Sequence, residues 1–344
     1  MHMADALISP AVGATMWAAS AGLIGYSSKK VKEEADARKV PLMGVLGAFI
    51  FAAQMINFSI PATGSSGHLG GGMILTVLLG PFAAFLAIAS VLVVQALFFG
   101  DGGLLALGCN IFNMGFFPCF IAYPFIYHKI VGDNPIQGKI VIGSLAAAIV
   151  GLQLGALGVV LETLFSGITE LPFNTFVLLM QPIHLAIGVV EGFVTAAVVM
   201  FVFKARPEIL IAVSRFEPIG TINIKKVLAW LLAMTVITGG ALSWFASSHP
   251  DGLEWAMFKT SGKEELEIRG GLHASLGSFQ GKTAFLPDYG FRKSGVETES
   301  ETSSAPSWPA IDPGASVSGL VGGSLTLLLT VLIGLGLRRR EVTV

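Results

Sequence analysis

Charge is what this sequence has least of. Only 12% of its 344 residues are charged, against 53% hydrophobic, where a soluble globular chain carries about 25% charge. So few charges cannot cover a soluble surface of this size. That excludes a soluble enzyme, a coiled coil and a disordered chain, and leaves a polytopic membrane protein, in line with a mean hydropathy of +0.75. The formal net charge is −1 with no basic stripe, so nucleic acid is excluded as a partner. Cysteine is nearly absent. Cys109 and Cys119 both fall in apolar runs, where membrane-embedded thiols are expected rather than a disulfide framework. The opening Met1-His2-Met3-Ala4-Asp5 has no Lys or Arg ahead of the first apolar run, so the charged head of a secretory leader is missing and a mature N-terminus is expected.

What is present is a series of apolar runs. Ser9 and Pro10 read as the cap and first turn of a helix ending near Tyr26. Further runs cover 41–60, 70–99, 104–127, 140–161, 173–203, 226–246 and 316–337, and a membrane helix needs about 20 such residues. Basic clusters mark cytoplasmic stretches: Lys29, Lys30, Lys32, Arg38 and Lys39; Lys129 and Lys139; Lys204, Arg206, Arg215, Lys225 and Lys226; and Arg338, Arg339 and Arg340. All four lie on one side only if 70–99 crosses twice, with the break at Gly80-Pro81. The expectation is an all-α membrane protein with nine spans, N-terminus outside and C-terminus inside. Residues 1–203 form a seven-helix core, 204–225 a cytoplasmic linker, and 226–344 a two-helix module around an external stretch, 247–315. That stretch holds 10 of the 22 acids and 6 basic residues. No ligand constellation is evident in it, and 297–309 reads as flexible. No internal repeat is evident.

Histidine is also scarce, with six in all, and His2 is the informative one. A free amino terminus followed by histidine offers the Met1 amine, the His2 backbone nitrogen and the His2 imidazole, which close a five- and a six-membered chelate. Three in-plane nitrogens favour a square-planar ion, Ni(II) or Cu(II). His68, in an outward glycine loop, could complete the plane. The same residue is also an ordinary polar group near a free end, and spacing alone does not separate the two. Gln95, Asp101, Asn110 and Asn113 lie at outer ends of apolar segments and could orient the rings or simply cap helices. His184 is read as an orienting or packing residue. Glu191, inside a span, is read as a structural hydrogen-bond acceptor. His128, His249 and His273 are expected to be solvated. Gly281-Lys282-Thr283 is a decoy: the first glycine of a phosphate loop would fall at Leu276. With no nucleotide site and no nucleophile–base pair, an enzyme is not expected.

The opening Met1-His2-Met3-Ala4-Asp5-Ala6-Leu7-Ile8-Ser9-Pro10 resembles the start of the CbiM/NikM family. These are the substrate-capturing membrane components of energy-coupling-factor (ECF) transporters for cobalt and nickel. The likeness continues through Thr63-Gly64-Ser65-Ser66-Gly67-His68-Leu69-Gly70-Gly71-Gly72, Leu79-Gly80-Pro81 and the block from Gln95 to Leu104. It ends with Asn110-Ile111-Phe112-Asn113-Met114-Gly115 and His184-Leu185-Ala186-Ile187-Gly188 with Glu191-Gly192. Pro250-Asp251-Gly252-Leu253-Glu254-Trp255 and Pro287-Asp288-Tyr289 resemble the small two-helix NikN/CbiN-like, or PDGLE, component, so the chain looks like a fusion of the two. The resemblance implies metal ligands at Met1, His2 and His68. It also implies a membrane coupling (T) subunit and two ATPase subunits as partners, and multi-pass placement in a prokaryotic plasma membrane. No cofactor is implied; nickel, favoured over cobalt, is the cargo. An independent secondary carrier, a membrane metal sensor, and cobalt uptake for corrinoid synthesis stand as rivals.

Overall fold

The computed structural model describes all residues except 1, 35, 37, 170, 221, 264–265, 267–269, 293–307 and 338–344. Met1, residues 297–307 of the stretch expected to be flexible, and Arg338, Arg339 and Arg340 therefore lie outside the described residues. Among the described residues the fold is helical with one small hairpin. The first helix, α1 (Pro10–Glu34), does not end near Tyr26. It carries its lysines on extra turns, where Lys30 pairs with Glu33 at 2.9 Å; this i, i+3 pairing lets the helix outrun its apolar stretch. It is followed by α2 (Lys39–Gln54) and then by the antiparallel strands β1 (Phe58–Ile60) and β2 (Ser65–Gly67), in which Ser59 faces Ser66.

The 70–99 run breaks where its sequence demands. The eight-residue α3 (Gly72–Leu79) stops at Gly80, whose φ of 82° and ψ of 163° suit glycine alone, and Pro81 opens α4 (Pro81–Phe99). At about 1.5 Å per residue, α3 spans only ~12 Å. The Gly67–Gly71 loop precedes it and enters the bundle far enough for Gly70 to meet the buried Glu191.

There follow α5 (Leu107–Val131), α6 (Gln137–Ser166) and α7 (Phe173–Ala205). In α5 the stretch Phe112–Tyr127 is widened to a π-helix around Pro118 and Pro124, which lack the N–H that a regular helix would need there. The linker is not plain coil: α8 (Pro207–Ser214) buries Ile209 and Leu210. The C-terminal module supplies α9 (Lys225–Gly240), α10 (Gly252–Ser261), α11 (Leu272–Thr283) and α12 (Pro313–Leu337). Thus 247–315 is partly helical, and Gly281-Lys282-Thr283 closes a helix rather than a loop.

Among the described residues five helices are long and apolar enough to cross a membrane: α4, α5, α6, α7 and α12. Of the other four expected crossings, α2, α3 and α9 are short, and α1 is diluted by Gly, Ser and Thr. The two ends of the bundle are distinct. At one, Asp36 accepts from Ile219 N at 2.7 Å, Arg38 donates to Ile222 O and Arg215 to Asn134. Three stretches expected to share a side therefore do meet. At the other end gather the segment after Met1, the hairpin, the Gly100–Gly103 loop and the polar part of the C-terminal module.

Candidate metal centre

The N-terminal segment is threaded into this second end. Asn110 accepts from Met3 N at 2.8 Å and donates to Met3 O. Gly103 N donates to Met3 O at 2.9 Å, and Ala106 N to the Asp5 carboxylate at 3.0 Å. Met3, Leu7 and Ile8 are fully buried. Asn110 therefore braces the N-terminal backbone rather than an imidazole ring.

This threading brings His2 to His68. Their rings are nearly parallel, 18° apart, with centroids 5.0 Å apart, in a cavity of ≈ 500 Å³ whose wall includes Asp101, Asp251, Glu254 and Tyr289. His68 Nδ1 lies 3.1 Å from Leu69 O. A carbonyl can only accept, so Nδ1 carries the proton and Nε2 presents its lone pair. His2 Nδ1 lies 3.4 Å from Asp101 Oδ1, and the Tyr289 hydroxyl donates to the other Asp101 oxygen. Burial, before any other influence, pulls both imidazoles down to about 3, so both rings are neutral and able to take a metal near pH 7. Burial also raises Asp101.

The sequence-predicted residues separate on this geometry. His2, His68, Asp101, Gln95 and His184 come together. Gln95 donates to Gln54 at 2.8 Å beside the His2 ring. His184 sits between His68 and Gly252, with Nδ1 on Met180 O at 2.8 Å. Asn113 does not join them; it donates to Glu162 inside the bundle at 2.7 Å. Glu191 accepts from Gly70 N at 2.7 Å and Gly71 N at 3.1 Å, and so pins the loop behind His68. His273 is not solvated: it is buried, with Nε2 2.8 Å from Ile8 O, and it holds the N-terminal segment. His128 is half-buried on Ser214 O. His249 is exposed, as expected.

The polar stretch 247–315 corrects a larger expectation, because it does carry polar groups to the site. Its chain runs along the hairpin: Ser247 N donates to Asn57 O, Ser66 N to Pro250 O at 2.8 Å, and Trp255 Nε1 to Thr63 O. Asp251 then caps α10, accepting from Leu253 N and Glu254 N, while Glu254 accepts from Asp251 N. The signature Pro250-Asp251-Gly252-Leu253-Glu254 is thus a capping box. Its Gly252 is required by close approach, since a Cβ there would lie 2.6 Å from Ile183. The cap leaves Asp251 Oδ2 3.8 Å from His68 Nε2. From α11, Gln280 donates to Ala96 O and Gly102 O. Burial, with the Asp251 charge beside it, lifts Glu254 to about 7.

Comparison with known proteins decides the family. Residues 2–209 match the CbiM family, described as the cobalt uptake substrate-specific transmembrane region, and 225–339 match the PDGLE domain. The chain belongs to the CbiM family. It is a CbiM-type region fused to a C-terminal PDGLE module, and its relatives are transport proteins of the cobalt and nickel family. One is a putative metal transport protein of Haloquadratum walsbyi, 35% identical over 61% of this chain and 93% of that one. Another is a putative fused nickel transport protein NikMN of Archaeoglobus fulgidus, 34% identical over 61% of this chain and 68% of that one. A solved transition metal transporter is 32% identical, with a TM-score of 0.53 over 60% of this chain and 93% of that one.

Proposed function

We propose that this CbiM-family chain is the substrate-capturing component of an energy-coupling-factor importer, taking up a divalent transition metal, nickel in preference to cobalt. The observation that carries the reading is the pairing of two buried, neutral imidazoles, His2 and His68, at the end of a threaded N-terminus. The Met1 amine, the His2 backbone nitrogen and ring, and His68 Nε2 supply four nitrogens, a set that suits square-planar Ni(II). Two relatives are named as fused nickel transport proteins. Energy comes from a membrane coupling subunit and two ATPase subunits, and the ligand-bearing end faces outward, opposite the lysine- and arginine-rich end. The division at 204–225 separates the capturing core from an accessory module, a division the two family matches support.

The test is an N-terminal extension. Residues added before Met1 convert the amine to an amide. The extended chain should insert and fold normally yet bind nickel at least tenfold more weakly by equilibrium titration. Wild-type affinity in the extended chain would refute amine ligation.

A further inference from the structure

Beside His68 lies a second, much smaller space that the capture plane does not use. This cavity of ≈ 10 Å³ is walled by His68, His184 and Asp251 on its polar side and by Leu152 and Ile187 on its apolar side. It has about the room of one water or one bare ion. A further cavity of ≈ 10 Å³ shares Gly70, Met114 and Leu152 with it and continues to Asn113 and Glu191 in the bundle.

The chemistry of the polar wall is specific. His184 is 1% exposed, and its Nδ1 is committed to Met180 O. The proton is therefore on Nδ1 and the lone pair on Nε2, which has no hydrogen-bond partner. An imidazole anchored through one nitrogen to a carbonyl, with the other bare and buried, is held as metal-ligating histidines are held. His68 is anchored in the same way through Leu69 O. Its Nε2 lies 3.8 Å from Asp251 Oδ2, a gap that two metal–ligand bonds of about 2.0–2.2 Å span. Asp251 cannot swing away without giving up the cap of α10.

Resting on the reading of the chain as a capture component, we infer that His68, Asp251 and His184 form a transfer position. A divalent transition ion leaving the capture plane is taken by Asp251 Oδ2 and His184 Nε2 while His68 still holds it, and so moves toward the bundle interior. Among the described residues no three His, Cys, Asp or Glu side chains are placed to hold an ion as they stand, so the transfer position requires the three side chains to close on the ion as it passes. Two imidazoles and a carboxylate make a mixed set that does not demand a plane, so the ion sheds its square-planar geometry in the step.

Cobalt(II) is the probe, because its visible absorption reports ligand type and geometry. The full-length purified chain carrying His2→Ala, which cripples the capture plane, should still bind Co(II), with a spectrum typical of mixed nitrogen and oxygen ligation. Adding Asp251→Asn, which still caps α10, or His184→Phe should weaken that residual binding at least tenfold and alter the spectrum. His184→Gln serves as the second variant if the phenylalanine form unfolds in a metal-free melt. Double variants that match His2→Ala in affinity and spectrum would overturn the transfer position, as would a His2→Ala chain that binds no Co(II). A wild-type chain binding neither nickel nor cobalt would overturn the capture reading as well.

Discussion

At the residue scale, the two imidazoles at the mouth of the bundle are already deprotonated by their surroundings. Burial holds His2 and His68 at about 3, well below an ordinary histidine, so on the proposed capture role neither ring competes with protons for nickel in the neutral range. The protons that binding releases then come from the His2 backbone amide and the Met1 amine, whose ordinary pKa is about 7.7–8.0. As pH falls from 8.5 to 6, log affinity should drop with a slope approaching about two protons, with no steepening below pH 6. Calorimetry in two buffers measures this directly; a slope rising toward four below pH 6 would show that the rings titrate normally. His2→Ala and His68→Ala should each cost at least tenfold in nickel affinity, about 1.4 kcal/mol, whereas exposed His249→Ala should cost nothing measurable. His2, His68 and Asp101 were legible in the sequence through the amino-terminal chelate, the glycine loop and the family motifs. Asn110 was legible as a polar group near the site, but not its partner, the Met3 backbone, because no local pattern announces a contact 107 residues away.

At the element scale, the device that aims His68 is an irregular one. The loop after β2 dives into the bundle, and Glu191 on α7 takes the N–H groups of Gly70 and Gly71. Glu191→Gln leaves one of those donors facing an amide NH₂. Leaving a buried donor unsatisfied costs about 1–3 kcal/mol, so nickel affinity should fall about tenfold while the spectrum of the bound ion stays unchanged. An altered spectrum would mean that Glu191 touches the metal. Helix positions were legible from apolar runs, and the break at Gly80-Pro81 from two residues alone. The hairpin and the π-widened stretch of α5 were not. The hairpin is three residues a side and owes its pairing partly to Ser247 and Pro250, and Pro118 and Pro124 signal interruption without saying how the helix absorbs it.

At the scale of the whole molecule, the C-terminal module is packed against the core at both levels. Its helix α12 lays the fully buried Thr326 and Thr330 beside Gly47 of α2. Its polar part closes against the site through Asp251, Gln280 and Tyr289. Composition marked that stretch as too polar to span, but its convergence on His68 and Asp101 joins residues some 180 positions apart, beyond anything spacing reveals. A chain ending after residue 205 should therefore insert and bind nickel but release it at least tenfold faster in a competing-chelator assay. An unchanged release rate would show that the seal does not retain the ion. The central claim is that His2 and His68 complete a plane of nitrogens at the outer end of the bundle. The most direct measurement is the X-ray absorption spectrum of nickel bound to the purified full-length chain. The account predicts four nitrogen neighbours in a square plane, lost in the His68→Ala chain; a six-coordinate shell rich in oxygen, unaffected by that substitution, would contradict it.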